Sequence, residues 1–168
     1  AATQAEKLLP LPIGVSSYKR AVDEYYYVDK TLMIKDILDE KPVVSLFTRP
    51  RRFGKTLNMD MLRTFFEATS EDNQKYFSSM KIWQCGEAYR KEQGRYPVIF
   101  LTFKDVKSAS WQGSYIFLKD ILRSEFVRHQ ELASSQSLSE PEFYQKIVAN
   151  EAGESDYMLA LSKLSQML

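Results

Sequence analysis

Apolar residues recur at helical spacing over most of the chain. A one-sided apolar stripe over residues 30–39 predicts a helix with Asp29 as its N-cap. A second stripe predicts a helix over residues 55–68, and residues 76–83 suggest a short helix or a helical turn. Three further helical patterns follow residue 110, and Ser139 and Glu142 form a capping box before the second of them. Helices are therefore expected in both halves of the chain.

Two short segments have a different pattern, that of strands buried on both faces of a sheet. Residues 43–48 (VVSLFT) and 97–103 (PVIFLTF) are mostly apolar and rich in β-branched or aromatic side chains. The segment between them contains helix, as a crossover between parallel strands requires. The pattern predicts an α/β fold with a parallel sheet and flanking helices. Because two strands are few and the last apolar stripe runs to Leu168, we expect this sheet to be incomplete.

A polar, basic loop separates the first predicted strand from the helix over residues 55–68. It ends in Gly54-Lys55-Thr56, the last three positions of the phosphate loop Gly-x₄-Gly-Lys-Ser/Thr, whereas Arg49 occupies the first glycine position. In such a loop main-chain amides wrap a phosphate, the glycine permits close approach, the lysine reaches the β- and γ-phosphates and the hydroxyl binds Mg²⁺. The alternative is a helix start with a solvated Lys55 and a capping Thr56.

Two stretches carry a resemblance to a known family. Residues 26–31 (YYVDKT) and 48–58 (TRPRRFGKTLN) resemble the predicted AAA-ATPase-like family of bacteria and archaea, which also has Arg in place of the first glycine. The resemblance implies a P-loop NTPase-type fold that binds ATP or ADP with Mg²⁺, held by Thr56. It also implies a lead-in over residues 1–42 and a P-loop core over residues 43–168. The expected nucleotide-binding residues are Tyr27, Arg49, Pro50, Arg51, Arg52, Phe53, Gly54, Lys55, Thr56 and Leu57.

Some of these residues have a second interpretation. Arg49, Arg51 and Arg52 can contact the nucleotide or nucleic-acid phosphates, or they can pair with carboxylates and shape the loop. Tyr27 can contact adenine or pack in the core. These alternatives remain open on the sequence alone.

The resemblance also implies an acidic Walker B pair, which the sequence lacks. Asp105 follows the second predicted strand, but it has no adjacent Glu, so a surface turn is the favoured interpretation. We expect the chain to bind nucleotide and to hydrolyse it poorly, with ATPase activity in a longer parent protein. The alternative is a non-hydrolysing nucleotide-sensing or protein-interaction module. A nucleic-acid role follows only from the nuclease domains that many family members carry.

Composition limits the kinds of partner, metal site and cellular setting that the sequence allows. The formal net charge of +1 gives no electrostatic argument for nucleic acid or a membrane surface. Cys85 is the single cysteine, which excludes an internal disulfide and favours a reducing, cytoplasmic setting. His129 is the single histidine, so a multi-histidine metal site is excluded. No apolar run is long enough for a membrane helix, and homo-oligomer formation is left open.

Overall fold

Helices are the regular structure of the part of the chain that the structure describes. The computed structural model describes residues 8–130 and 140–168 and divides the chain into two units, Ala1–Val98 and Ile99–Leu168. Of the helices within those described ranges, none combines the length and the apolar character needed to cross a bilayer.

Unit 1 contains five α-helices and one 3₁₀ turn among its described residues. They are α1 (Tyr18–Glu24), α2 (Leu32–Glu40), α3 (Lys55–Phe66), the 3₁₀ turn (Gln74–Tyr76), α4 (Lys81–Gln84) and α5 (Glu87–Arg90). The helix predicted over residues 55–68 is confirmed and ends two residues early. The helix predicted over residues 30–39 is also confirmed, but Asp29 is not its N-cap, because α2 begins one residue after Thr31.

The core of unit 1 forms around the buried face of α3. Helix α1 packs on α3, and the rings of Tyr18 and Phe77 stack with centroids 5.0 Å apart. The buried residues of this core are Tyr18, Ala21, Ile34, Leu57, Met61, Phe65, Phe77 and Ile82. The buried carboxylate of Asp60, on α3, accepts a 2.8 Å hydrogen bond from the Tyr18 amide at the start of α1. The orientation of α3, and so of the loop before it, is fixed by these contacts.

Unit 2 contains the three helices expected after residue 110, namely α6 (Trp111–Arg128), α7 (Pro141–Val148) and α8 (Glu154–Met167). Each of them packs on the other two. Their shared core is formed by Phe126, Tyr144, Ile147, Tyr157, Ala160 and Leu164. Glu140 is the N-cap residue of α7, and the predicted capping box cannot be followed because Ser139 lies outside the described residues.

The predicted parallel sheet is wrong for this chain. Residues 8–130 and 140–168 contain no β-strand, and the P-loop α/β fold inferred from strands at 43–48 and 97–103 is therefore not supported. In the first segment the backbone is irregular, and Val43, Val44 and Leu46 are 101%, 81% and 84% exposed. A strand is stable only when a neighbouring segment pairs with its amides and carbonyls, and no described segment does so here.

The second predicted strand, residues 97–103, is likewise not formed. The residues just before it form hydrogen bonds with the C-terminal end of α3. The amides of Gly94 and Tyr96 donate to the carbonyls of Phe65 and Phe66 at 2.8 and 2.9 Å, and the Ala68 amide donates to the Tyr96 carbonyl. These bonds satisfy carbonyls that the last turn of α3 leaves unpaired. The result is a single parallel bridge between Glu67 and Tyr96 in place of a sheet.

Candidate functional site

The loop before α3 has an unusual backbone. Arg52 and Gly54 both adopt the left-handed region, with φ of 69° and 73°. Gly54 is the N-cap residue of α3, and no side chain caps the helix at this position. The first intrahelical bond runs from the Asn58 amide to the Gly54 carbonyl at 2.9 Å. The amides of the first turn and the positive end of the helix dipole are thus available to an external anion.

The side chain of Lys55 links the two ends of this loop. Its ammonium group donates a hydrogen bond to the main-chain carbonyl of Arg49, at the other end of the loop. An ammonium group has three donors, so two remain for another acceptor. The side chain is therefore held over the loop and not extended along the helix.

A cavity of about 430 Å³ lies beside the loop. Arg49, Phe53 and Lys55 line it together with residues from before and within the helices: Lys30, Met33, Phe47, Asn58 and Met59. The exposed Phe47 belongs to the segment that was predicted as a strand. This first cavity combines cationic groups with an apolar wall.

A second cavity of about 380 Å³ adjoins the first and shares Lys30, Phe53 and Asn58 with it. Its other lining residues are Leu11, Pro12, Tyr26, Tyr27, Val28, Arg52, Gly54 and Leu57. Tyr27 also packs edge to face against Tyr18, with ring centroids 5.3 Å apart. Burial raises the pKa of Tyr27 to about 12, so its phenol remains protonated at neutral pH. Tyr27 thus belongs both to the core and to the wall of this cavity.

The charges around the two cavities have one sign. Among the described lining residues, Lys30, Arg49, Arg52 and Lys55 are cationic, and none is an aspartate or a glutamate. No ion pair links Arg49, Arg51 or Arg52 to a carboxylate of the described residues. Opposed cations without counter-charges attract an anion, most strongly one that carries several negative charges.

Three of the residues expected at the site line neither cavity. Pro50, Arg51 and Thr56 are exposed, and Thr56 is the residue expected to bind Mg²⁺. Magnesium sites in proteins usually contain a carboxylate, which the described lining does not supply. No group of three His, Cys, Asp or Glu side chains in residues 8–130 and 140–168 could hold a metal ion. Binding of Mg²⁺ by Thr56 is tested by none of these observations.

Asp105 lies in unit 2, in an exposed turn at Lys104 and Asp105. Its main-chain carbonyl accepts from the amide of Lys107 at 2.9 Å. This position agrees with the surface turn favoured on the sequence, and the alternative catalytic role of its side chain stays untested.

Comparison with known proteins supports the family resemblance that the loop residues carry. A family model described as "Predicted AAA-ATPase" matches residues 12–161. This range includes the loop, most of unit 2 and all the lining residues of the two cavities except Leu11. The chain belongs to this AAA-ATPase-like family. The match covers far more of the chain than the loop motif alone.

One relative is similar over a shorter stretch. The "Uncharacterized protein in vnfD 5'region" of Azotobacter chroococcum mcd 1 is 34% identical over 95 residues, which is 55% of this chain. The AAA-ATPase-like chain covers only 17% of the length of that protein. No solved structure matches the chain.

The site of the AAA-ATPase-like chain includes residues for which no role was predicted from the sequence. Lys30 and Asn58 line both cavities. They fall within the two stretches that resemble the family, residues 26–31 and 48–58. Their place in those stretches could have marked them as candidate site residues. Met33, Phe47 and Met59 gave no such signal, because their apolar side chains fit an ordinary core pattern equally well.

Proposed function

We propose that this AAA-ATPase-like chain binds a nucleoside polyphosphate, ATP or ADP, along the two cavities beside α3. The observation that carries the proposal is the cationic lining: Lys30, Arg49, Arg52 and Lys55 face the cavities without an acidic residue among the described lining. The uncapped start of α3 adds main-chain amides to the same region. A polyphosphate matches this set of donors and charges.

The apolar part of the second cavity supports a nucleotide in preference to a bare polyphosphate. Tyr26, Tyr27 and Val28 contribute to its wall with Leu11 and Pro12. Aromatic and aliphatic side chains of this kind can cover the faces of a planar base. We infer that the base occupies the second cavity and that the terminal phosphates reach Arg49 and Lys55 in the first.

The proposal is limited to binding. Phosphoryl transfer to water requires a group that orients or deprotonates the water, and the described lining offers no carboxylate for this purpose. Binding of Mg²⁺ by Thr56, with the nucleotide supplying the other ligands, stays a prediction.

Removal of the Lys55 ammonium group tests the proposal. We expect Lys55→Ala to bind ADP at least tenfold more weakly than the wild type, because a hydrogen bond to a charged group contributes about 1.5–3 kcal/mol. Isothermal titration with ADP and with ATP, each with EDTA and with Mg²⁺, measures the affinity.

Lys91→Ala is the matched control for this experiment. Lys91 is an exposed lysine of the same unit, and it lines neither of the two cavities. Its removal changes the net charge equally and is expected to leave the affinity unchanged. Absence of binding by the wild type, or equal affinities for wild type and Lys55→Ala, would exclude the proposed function.

A further inference from the structure

Lys30 occupies a special position at the candidate site. Among the described lining residues it is the one cation common to both cavities, where it is joined by Phe53 and Asn58. It comes from the segment before α2 and not from the phosphate loop. The junction of the two cavities is thus bordered by a positive charge from a distant part of the sequence.

The backbone on both sides of Lys30 is fixed by long-range hydrogen bonds. The amide of Thr31 and its hydroxyl donate to one carboxylate oxygen of Asp29 at 2.8 and 2.7 Å. The other carboxylate oxygen of Asp29 accepts from the amide of Lys81 at 2.7 Å, and the buried Thr31 hydroxyl accepts from that of Ile82 at 3.1 Å. The backbone at Lys30 is therefore held in place before any ligand arrives, which reduces the backbone entropy lost on binding.

The charge of Lys30 is not neutralised within the described residues. No ion pair joins it to a described carboxylate. The adjacent carboxylate of Asp29 already accepts from Thr31 and Lys81. The ammonium group of Lys30 can thus interact with an external anion without first breaking an internal pair.

The difference between the two cavities indicates which part of a nucleotide lies at their junction. The first cavity contains Arg49 and Lys55. The second contains Arg52, but most of its lining is the apolar wall that includes Tyr26, Tyr27 and Val28. With the base in the second and the terminal phosphates in the first, the phosphate attached to the ribose lies between them. We propose that Lys30 binds this α-phosphate, an inference that rests on the proposed nucleotide binding.

The variants Lys30→Gln and Lys30→Arg test this assignment by titration with ADP and with ATP. Since both ligands carry the α-phosphate, Lys30→Gln is expected to weaken both by the same factor, about tenfold. Lys30→Arg retains the charge and is expected to restore most of the affinity. Lys91→Gln serves as the control for loss of one charge, and the thermal midpoints of all variants should equal that of the wild type.

The outcomes separate this inference from the proposed function. If Lys30→Gln binds as tightly as the wild type while Lys55→Ala loses affinity, the role of Lys30 is refuted and nucleotide binding stands. A loss confined to ATP would assign Lys30 to the terminal phosphate and would equally refute the inference. If the wild type binds neither ligand, both proposals fail together.

Discussion

At the residue scale, Gly54 is required by its backbone conformation. Its φ of 73° lies in the left-handed region, and a Cβ built there meets no heavy atom within 4 Å. Another residue at this position is therefore disfavoured by backbone strain and not by crowding within the chain. The close approach of a phosphate, which the motif predicts for this glycine, adds a second reason once a ligand is bound.

Replacement of Gly54 by alanine is expected to lower the free energy of unfolding by about 1 kcal/mol, the usual cost of the left-handed conformation for a residue with a Cβ. Asparagine tolerates this conformation better, so Gly54→Asn should destabilise less than Gly54→Ala. Urea denaturation of the three proteins without ligand measures the difference. Equal stabilities for the alanine variant and the wild type would show that φ at position 54 is not held positive.

At the element scale, hydrogen bonds between distant segments position the short helices of unit 1. Asp29 is 52 positions before Lys81, yet its carboxylate accepts from the amide at the start of α4. Burial of this carboxylate opposes its charge, but the hydrogen bonds from Thr31 and Lys81 outweigh burial and lower the pKa of Asp29 below its ordinary value of 3.8. The four residues of α4 are too few to form a stable helix alone, so this capping matters.

We expect Asp29→Asn to destabilise unit 1 by about 1 kcal/mol, the usual cost of a lost helix cap, because one of the two acceptor oxygens becomes a donor. Since folding lowers the pKa of Asp29, its charged form stabilises the protein above pH 3.8, and this contribution is lost as the pH falls through the folded pKa. The stability gap between wild type and variant should therefore be widest at neutral pH and should narrow below about pH 4.

Denaturation measured between pH 7 and pH 3 tests this expectation, with Asp36→Asn as the control. Asp36 is an exposed carboxylate on α2, and none of the ion pairs or side-chain hydrogen bonds of the described residues involves it. A gap for Asp29→Asn that stays constant between pH 7 and pH 3 would contradict the role of the Asp29 carboxylate, as would an equally large loss of stability for Asp36→Asn at pH 7.

At the scale of the whole molecule, the described residues form two hydrophobic cores. The first is built only from residues of unit 1, and the second only from residues of unit 2. The proposed nucleotide site draws all of its lining residues from unit 1. Each core can therefore be weakened by a mutation within its own unit.

A matched pair of substitutions tests this division. Ile34→Val in unit 1 and Ile147→Val in unit 2 each remove one buried methyl group, which typically costs 0.5–1.5 kcal/mol. We expect Ile34→Val to accelerate amide hydrogen exchange within residues 15–89, and Ile147→Val to do so within residues 140–168. ADP affinity should change only for the former. Acceleration throughout the chain in both variants would show that the two cores unfold as one.

The sequence by itself determined the longer helices and the position of the basic loop before α3. Apolar spacing predicts the five longer helices, because the apolar face of a helix is formed by residues three and four positions apart, and this spacing is visible in a short stretch of sequence. These helices are α2, α3, α6, α7 and α8. The loop over residues 49–56 was recognised because its residue types and their spacing match a family. Asp29 was predicted as the N-cap of α2, but Thr31 has that position, and the Asp29 carboxylate instead accepts from the first amide of α4.

Only the tertiary structure decided whether the apolar segments became strands and which residues joined the site. An apolar run such as residues 43–48 is typical of a strand. A strand also requires hydrogen bonds to a neighbouring segment, and the residues of the run do not show whether such a segment lies beside it. The position of Lys30 near the loop likewise depends on distant contacts. Its neighbours Asp29 and Thr31 accept hydrogen bonds from amides at the start of α4, more than 50 positions along the chain. Pairing between distant segments depends on the folded chain, and for this reason local pattern could not predict it.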